Sequence, residues 1–219
     1  PLYGEQEHNG ISLTIVKSGK QGTVDYEGVE AAIRPETRAV ICTHASNLTG
    51  NVVDLYRMGQ IAKRHGLLFV VDASQTAGVL PIDIERMQID VLCFTGHKSL
   101  MGPQGTGGLY IREDVEIRPF KSGGTGVHSF LKKQPDDYPE HLEAGTLNVH
   151  GLAGLCAGVQ WLLEQGVENL AAREAALARL FYEQVRTAPG VTVYGDMTMQ
   201  PRAPIVALNI GQEDSARVA

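Results

Sequence analysis

Residues 94–111, FTGHKSLMGPQGTGGLYI, place one lysine, Lys98, directly after His97, between the apolar run IDVLCF and a loop crowded with glycine. Three readings compete for that cation: a phosphate loop, a solvated surface charge, and an amine held where it can react. A P-loop requires G-x-x-x-x-G-K-[ST], but only His97 separates Gly96 from Lys98 and no glycine stands at the earlier position. The GTGG that follows leads into LYI, a strand pattern, and not into a helix whose N-terminus could hold a pyrophosphate. Both nucleotide readings therefore fail on spacing.

Working outward, IDVLCFTG and GGLYI read as strands, and so do RAVIC and LLFVVD, each a short apolar run bounded by turn residues. Amphipathic helices alternate with them. Asp25 is placed to cap YEGVEAAI, and Asp54 to cap LYRMGQIAKRH, with Gly66 as its C-terminal stop. The segment ISLTIV, residues 11–16, alternates as a half-buried strand does. This alternation of strands and helices predicts an α/β fold with a mainly parallel sheet and helices on both faces. From Val149 the pattern changes to two long helices parted at Gly166, followed by the strands VTVYG and Ile205–Ile210 and the first turn of another helix. The expected organisation is a ligand-binding large domain over 1–150, linking helices over 151–188, and the start of a smaller α+β domain over 189–219. The chain opens on Pro1 and stops at DSARVA, so it is expected to be a piece of a longer protein with both ends cut.

The 219 residues, 43% of them apolar, are enough to bury a substantial core. Nineteen basic against twenty-five acidic residues give a net charge of −6. With no basic block to track a phosphate backbone, nucleic acid is not an expected partner. No apolar run reaches the length of a membrane span, and PLYGEQEHNG has neither region of a signal peptide, so a cytoplasmic location is expected. Cys42, Cys93 and Cys156 lie far apart in apolar or helical contexts and read as core thiols. The histidines show no metal-ligand spacing, and no metal is expected.

In an open parallel sheet, ligands collect at the carboxyl ends of the strands. Three such ends carry polar groups here: THASN, DASQ and TGHK. Together they assemble Asn47, Asp72, Gln75, Thr95, His97 and Lys98. Each residue also has a plain structural reading. Asp72 could cap SQTAG, Asn47 could support a turn, Gln75, Thr95 and His97 could be ordinary loop residues, and Gly123, Gly124 and Gly126 could serve backbone permissiveness. A lysine beside apolar strands, however, has its charged form disfavoured by desolvation, which frees the amine to attack a carbonyl. A carboxylate at a neighbouring strand end could pair with a protonated ring nitrogen and improve the ring as an electron sink.

Those two roles together describe pyridoxal phosphate. The motifs THASNLTG, VVDASQTAG, FTGHKSLMGPQGTGGLYI, SGGTG and LEAGTLN, in that order, resemble the class V group of fold-type I pyridoxal-phosphate enzymes, in particular its cysteine desulfurase and selenocysteine lyase-like branch. The resemblance runs over nearly the whole chain. It implies that Lys98 forms the Schiff base with the cofactor and shuttles the proton, that Asp72 holds the pyridinium nitrogen, and that Gln75 bonds the ring's phenolic oxygen. Asn47 would lie beside that oxygen and the substrate carboxylate, Thr95 and His97 would bind the phosphate, and Ser74 would lie against one face of the ring. Thr146 would reach the cofactor phosphate of a neighbouring subunit, which implies a homodimer. The activity implied is removal of sulfur or selenium from L-cysteine or L-selenocysteine, leaving alanine and an enzyme persulfide, with a sulfur-acceptor protein as a further partner. Class V transamination uses the same Lys98 and Asp72 and is the alternative. An inactive cofactor-binding or dimerisation fragment is the third reading, because a complete site is expected to need both missing ends; none of the three cysteines matches the family's nucleophile.

Overall fold

The computed structural model describes residues 2–127 and 130–218. Four strands form the main sheet in the order β1 (Ala39–Thr43), β2 (Leu68–Asp72), β3 (Val91–Thr95) and β4 (Gly107–Ile111). The first three run parallel and β4 returns antiparallel to β3, as the short link between them requires. The mainly parallel sheet is the one anticipated.

Two capped helices cover one face. α2 (Tyr26–Ala31) begins at Asp25, whose carboxylate accepts from Gly28 N–H, and α3 (Leu55–Arg64) begins at Asp54, which accepts from Arg57 N–H. Each cap satisfies one of the donors that a helix start leaves free. α3 turns Leu55, Met58, Ile61 and Ala62 inward, and Gly66 at φ 63° ends it. On the sheet, Phe69, Val71 and Leu92 point to the same side and meet Leu55, Met58 and Ala62 in one core cluster. Phe69 is completely buried; removing a side chain of this size from water is worth about 1.5–3 kcal/mol. At the foot of the sheet, buried Asp90 accepts from Phe69 N–H at 2.7 Å and pairs with Arg112, so its charge is compensated where it is buried. The opposite face of the sheet leaves Ile41, Leu68 and Leu109 exposed among the described residues.

Two expectations change. Residues 11–16 form no strand, and Ile11 and Ile15 are exposed. Alternation prescribes two faces but supplies no hydrogen-bonding edge, and β1 pairs with β2 alone among the described residues. Cys156 is exposed on α4 (Val149–Gln165), whereas Cys42 and Cys93 are half-buried in the sheet. The N-terminal helix α1 (Leu2–Asn9) buries nothing.

Beyond the sheet, α4 packs its small residues on the loop that follows β3: a Cβ at Gly154 would meet the Pro103 ring, and one at Gly158 would meet the Leu100 carbonyl at 2.7 Å. α5 (Val167–Val185) follows, then the antiparallel pair β5 (Val191–Tyr194) and β6 (Ala207–Ile210), and α6 (Ser215–Val218). The β5–β6 connection folds back onto the loop after β1. Asn51 accepts from Asp196 N–H at 2.9 Å and donates to the Gln21 carbonyl at 2.6 Å, while Arg202 donates to the Thr49 carbonyl at 2.6 Å. No helix among the described residues is long and apolar enough to cross a membrane.

Candidate active site

The carboxyl ends of β1, β2 and β3 lie side by side. Thr43 is the register partner of Asp72, and Asp72 that of Cys93, so the three side chains share one face of the sheet. The ladder continues past the strands: His44 N–H donates to the Asp72 carbonyl and Ala73 N–H to the Cys93 carbonyl, both at 2.8 Å. Asp72 is exposed at this rim. Its Oδ1 accepts from Ser74 N–H at 2.9 Å, which is the capping role, while its other oxygen accepts no hydrogen bond among the described residues.

The turn carrying Ser74 and Gln75 is closed by Thr76 and Ala77, whose N–H groups both donate to the Ala73 carbonyl. It then runs against the lysine loop. Gly78 has φ 86°, and a Cβ there would stand 2.8 Å from the Ser99 carbonyl oxygen, so the two backbones approach as only glycine allows. The lysine loop is itself tightly wound: Met101 N–H donates to the Lys98 carbonyl at 2.9 Å and Gly102 N–H to the Gly96 carbonyl at 2.8 Å. Met101 sits at φ 58°, an uncommon conformation for a residue with a side chain. A Cβ at Gly96 would run into the Thr106 hydroxyl. Gly96, Gly102 and Gly107 of this stretch each sit where a Cβ would strike a neighbouring side chain or carbonyl.

Three of the predicted residues occupy this loop. His97 and Lys98 are exposed, and the Thr95 hydroxyl is buried without a hydrogen-bond partner among the described residues. The exposure of Lys98 corrects the expectation of a desolvated amine, because nothing in the described residues covers it. Asn47 stands exposed at the tip of the loop after β1, which Ser46 organises by accepting from the N–H groups of Leu48 and Thr49. Thr146 belongs to a different region. The SGGTG and LEAGTLN segments are joined through Gly145 N–H to the Gly124 carbonyl at 2.7 Å, and Thr146 is exposed with no hydrogen bond to the strand-end residues. Asn47, Asp72, Ser74, Gln75, Thr95, His97 and Lys98 therefore gather at one rim, and Thr146 does not join them within the chain.

Burial sets the electrostatics behind the rim. It pushes the Cys42 thiol up to about 12, and it raises the Cys93 thiol, with the charge of Asp72 adding to the effect. The His44 imidazole is lowered by burial to about 4 and is neutral near pH 7. His44 and Thr76 are the residues that sequence reasoning passed over. The available signal was a histidine at the first position after β1 and a threonine one residue after Gln75, both within motifs already singled out.

The site can be tested for its fit to pyridoxal phosphate. The ring and phosphate need an amine, a free carboxylate oxygen and unused hydroxyl and amide groups within one rim. Lys98, the Asp72 carboxylate and the amides of Asn47 and Gln75 lie at that rim, and the Thr95 hydroxyl stands there without a hydrogen-bond partner among the described residues.

Known proteins agree with this fold. A probable cysteine desulfurase of Methanothermobacter thermautotrophicus is 34% identical over 214 residues, covering 96% of this chain and 53% of the relative. The apo structure of a cysteine desulfurase from Thermococcus onnurineus NA1 superposes with a TM-score of 0.83 at 27% identity, over 100% of this chain and 55% of that one. SspA, solved in complex with cysteine, gives a TM-score of 0.63 at 31% identity over 73% of this chain and 43% of SspA. The chain spans about half the length of the curated relatives it matches. The profile of the Aminotransferase class-V family matches residues 4–219, and the chain belongs to that family.

Proposed function

We propose that this chain forms the cofactor-holding part of a pyridoxal-phosphate-dependent cysteine desulfurase, acting on L-cysteine or L-selenocysteine and yielding alanine. The observation that carries the proposal is the rim at the ends of β1–β3, where Lys98 stands with a buried, unpartnered Thr95 hydroxyl and a free Asp72 oxygen. Buried hydroxyls are normally satisfied, and an ordered water, an ion or a ligand atom can supply the missing partner. The names of the relatives, and a solved neighbour that holds cysteine, support the choice of substrate.

In this reading Lys98 Nζ would hold the cofactor covalently through its aldehyde carbon, the aldehyde oxygen leaving as water, and would carry the substrate's α-proton. The Asp72 carboxylate would hold the ring nitrogen and keep it protonated, and the Gln75 amide would donate to the phenolic oxygen. Pyridoxal phosphate, when bound, supplies the electron sink that makes the α-proton removable. Ser74 would lie against the ring face, Thr95 and His97 would bind the phosphate, and Asn47 would orient the substrate carboxylate. Thr146 serves the site of a second copy, so the working form is a homodimer, in the cytoplasm, passing sulfur to an acceptor. None of Cys42, Cys93 and Cys156 is assigned the sulfur-accepting role.

The test uses the full-length polypeptide. Pyridoxal phosphate should give a visible absorption band, and borohydride should fix the cofactor mass on the peptide that contains residue 98. Lys98→Ala should lose both, and with them the formation of alanine from cysteine. If Lys98→Ala fixes as much cofactor as the wild type, the reading is wrong.

A further inference from the structure

Behind the rim lies a buried polar pair that the roles above leave unused. His44 Nδ1 and Thr76 Oγ1 are 2.8 Å apart, with the two residues 4% and 0% exposed. Thirty-two positions separate them in the chain, so the bond is tertiary and joins the segment leaving β1 to the turn leaving β2. The main chain of His44 adds two more ties: its N–H donates to the Asp72 carbonyl, and its carbonyl accepts from Val53 N–H, both at 2.8 Å. The second closes the loop that carries Asn47, together with the bridge between Ala45 and Val52. Thr76 N–H in turn donates to the Ala73 carbonyl and fixes the turn that carries Ser74 and Gln75. One residue thus meets Asp72, the Asn47 loop and the Gln75 turn, and it does so where water cannot substitute for a lost bond.

We propose that His44, clamped by Thr76, is a positioning residue that fixes the mutual orientation of Asp72, Gln75 and Asn47 for a pyridine-ring cofactor. The inference rests on the proposed pyridoxal-phosphate site. It assigns His44 no contact with the cofactor; the imidazole acts through the two strand ends. Because a positioned ring needs its partners held to within a fraction of an ångström, a loosened clamp costs affinity and orientation before it costs the fold.

Thr76→Val keeps the shape of the side chain and removes the hydroxyl, while Thr76→Ser keeps the hydroxyl. In the full-length protein, cofactor titrated by visible absorption should bind Thr76→Val about tenfold more weakly, the range seen when a supporting hydrogen bond is lost. The circular dichroism of the cofactor's visible band, which reports how the ring sits in its asymmetric site, should weaken as well. Thr76→Ser should restore both. If Thr76→Val melts earlier but binds cofactor with wild-type affinity and an unchanged dichroic band, the pair is only structural and the proposal falls. If the wild type itself fixes no cofactor at Lys98, the underlying reading fails, and the proposal with it. If Lys98 is labelled normally in all three proteins while affinity and dichroism stay constant, the failure belongs to His44 alone.

Discussion

Two histidines mark two ways in which this chain holds its shape. His44 sits in the sheet half, among side chains such as Phe69, Val71 and Ala73 that are fully buried, and the surrounding protein leaves its imidazole neutral. His141 sits in the arm between β4 and α4, where few side chains are buried. Its two ring nitrogens face the carbonyls of Pro135 and Ile117 at 2.7 and 2.8 Å. Two acceptors require two N–H donors, so the arm favours the imidazolium and raises its pKa. Gln134 works in the same manner, donating to the carbonyls of Glu140 and Glu143 at 2.6 Å. The sheet half is held by the exclusion of water, the arm by side chains that serve backbone acceptors in its presence. The first arrangement is strong and intolerant of charge; the second is weaker and uses charge.

The contrast predicts three effects of decreasing size. Phe69→Ala should cost about 3–5 kcal/mol, because the cavity opens in the centre of the core, whereas alanine at Gln134 should cost far less. Urea denaturation of the two variants would show it, and equal losses would break the distinction.

The second effect is the acid limb. The folded pKa of His44 lies near 4 against an ordinary 6.5, so between those values the unfolded chain binds the proton first. Its contribution to stability is complete above pH 6.5 and is lost as the pH falls toward 4, by about 3 kcal/mol in all. Carboxylates held low by their partners, such as Asp114 and Asp196, also lose stability in acid. The measurable quantity is therefore the difference in slope between wild type and His44→Phe; parallel slopes would show that the imidazole is not buried neutral.

The smallest effect has the opposite sign. His141 has a raised folded pKa, so its contribution is complete below pH 6.5 and disappears as the pH rises through the folded value. Thermal melts of wild type and His141→Gln should converge at alkaline pH and separate slightly at pH 6. A wild type that gains on the variant as the pH rises would contradict the imidazolium.

Much of the fold was legible because it rests on local rules. RAVIC, LLFVVD and IDVLCF have strand length, β-branched content and turn residues on both sides, and Asp25 and Asp54 stand where a helix start needs an acceptor. The rim followed from topology, since strands that run parallel must present their ends together. What was not legible depended on partners. Residues 11–16 alternate correctly but pair with no strand among the described residues, although β1 has no partner there on its outer side. α1 lacks the apolar stripe that would announce a helix, and its Asn9 bonds only its own Glu5. Whether Lys98 is covered is decided by surrounding chain and not by its neighbours in sequence. The His44–Thr76 bond crosses between two motifs, each of which read as complete without it.

Asn51 joins the β5–β6 connection to the loop after β1, and its amide also works as a chemical filter. The carbonyl end must accept, from Asp196 N–H, and the amino end must donate, to the Gln21 carbonyl. Aspartate has the same shape and can do only the first. Deamidation, a change of one atom from nitrogen to oxygen, would turn the contact with Gln21 from attraction into repulsion between two oxygens while leaving the contact with Asp196 in place. The position therefore selects between two side chains of one shape by the direction of a single hydrogen bond, and Asn51→Asp should loosen the join between residues 21 and 51.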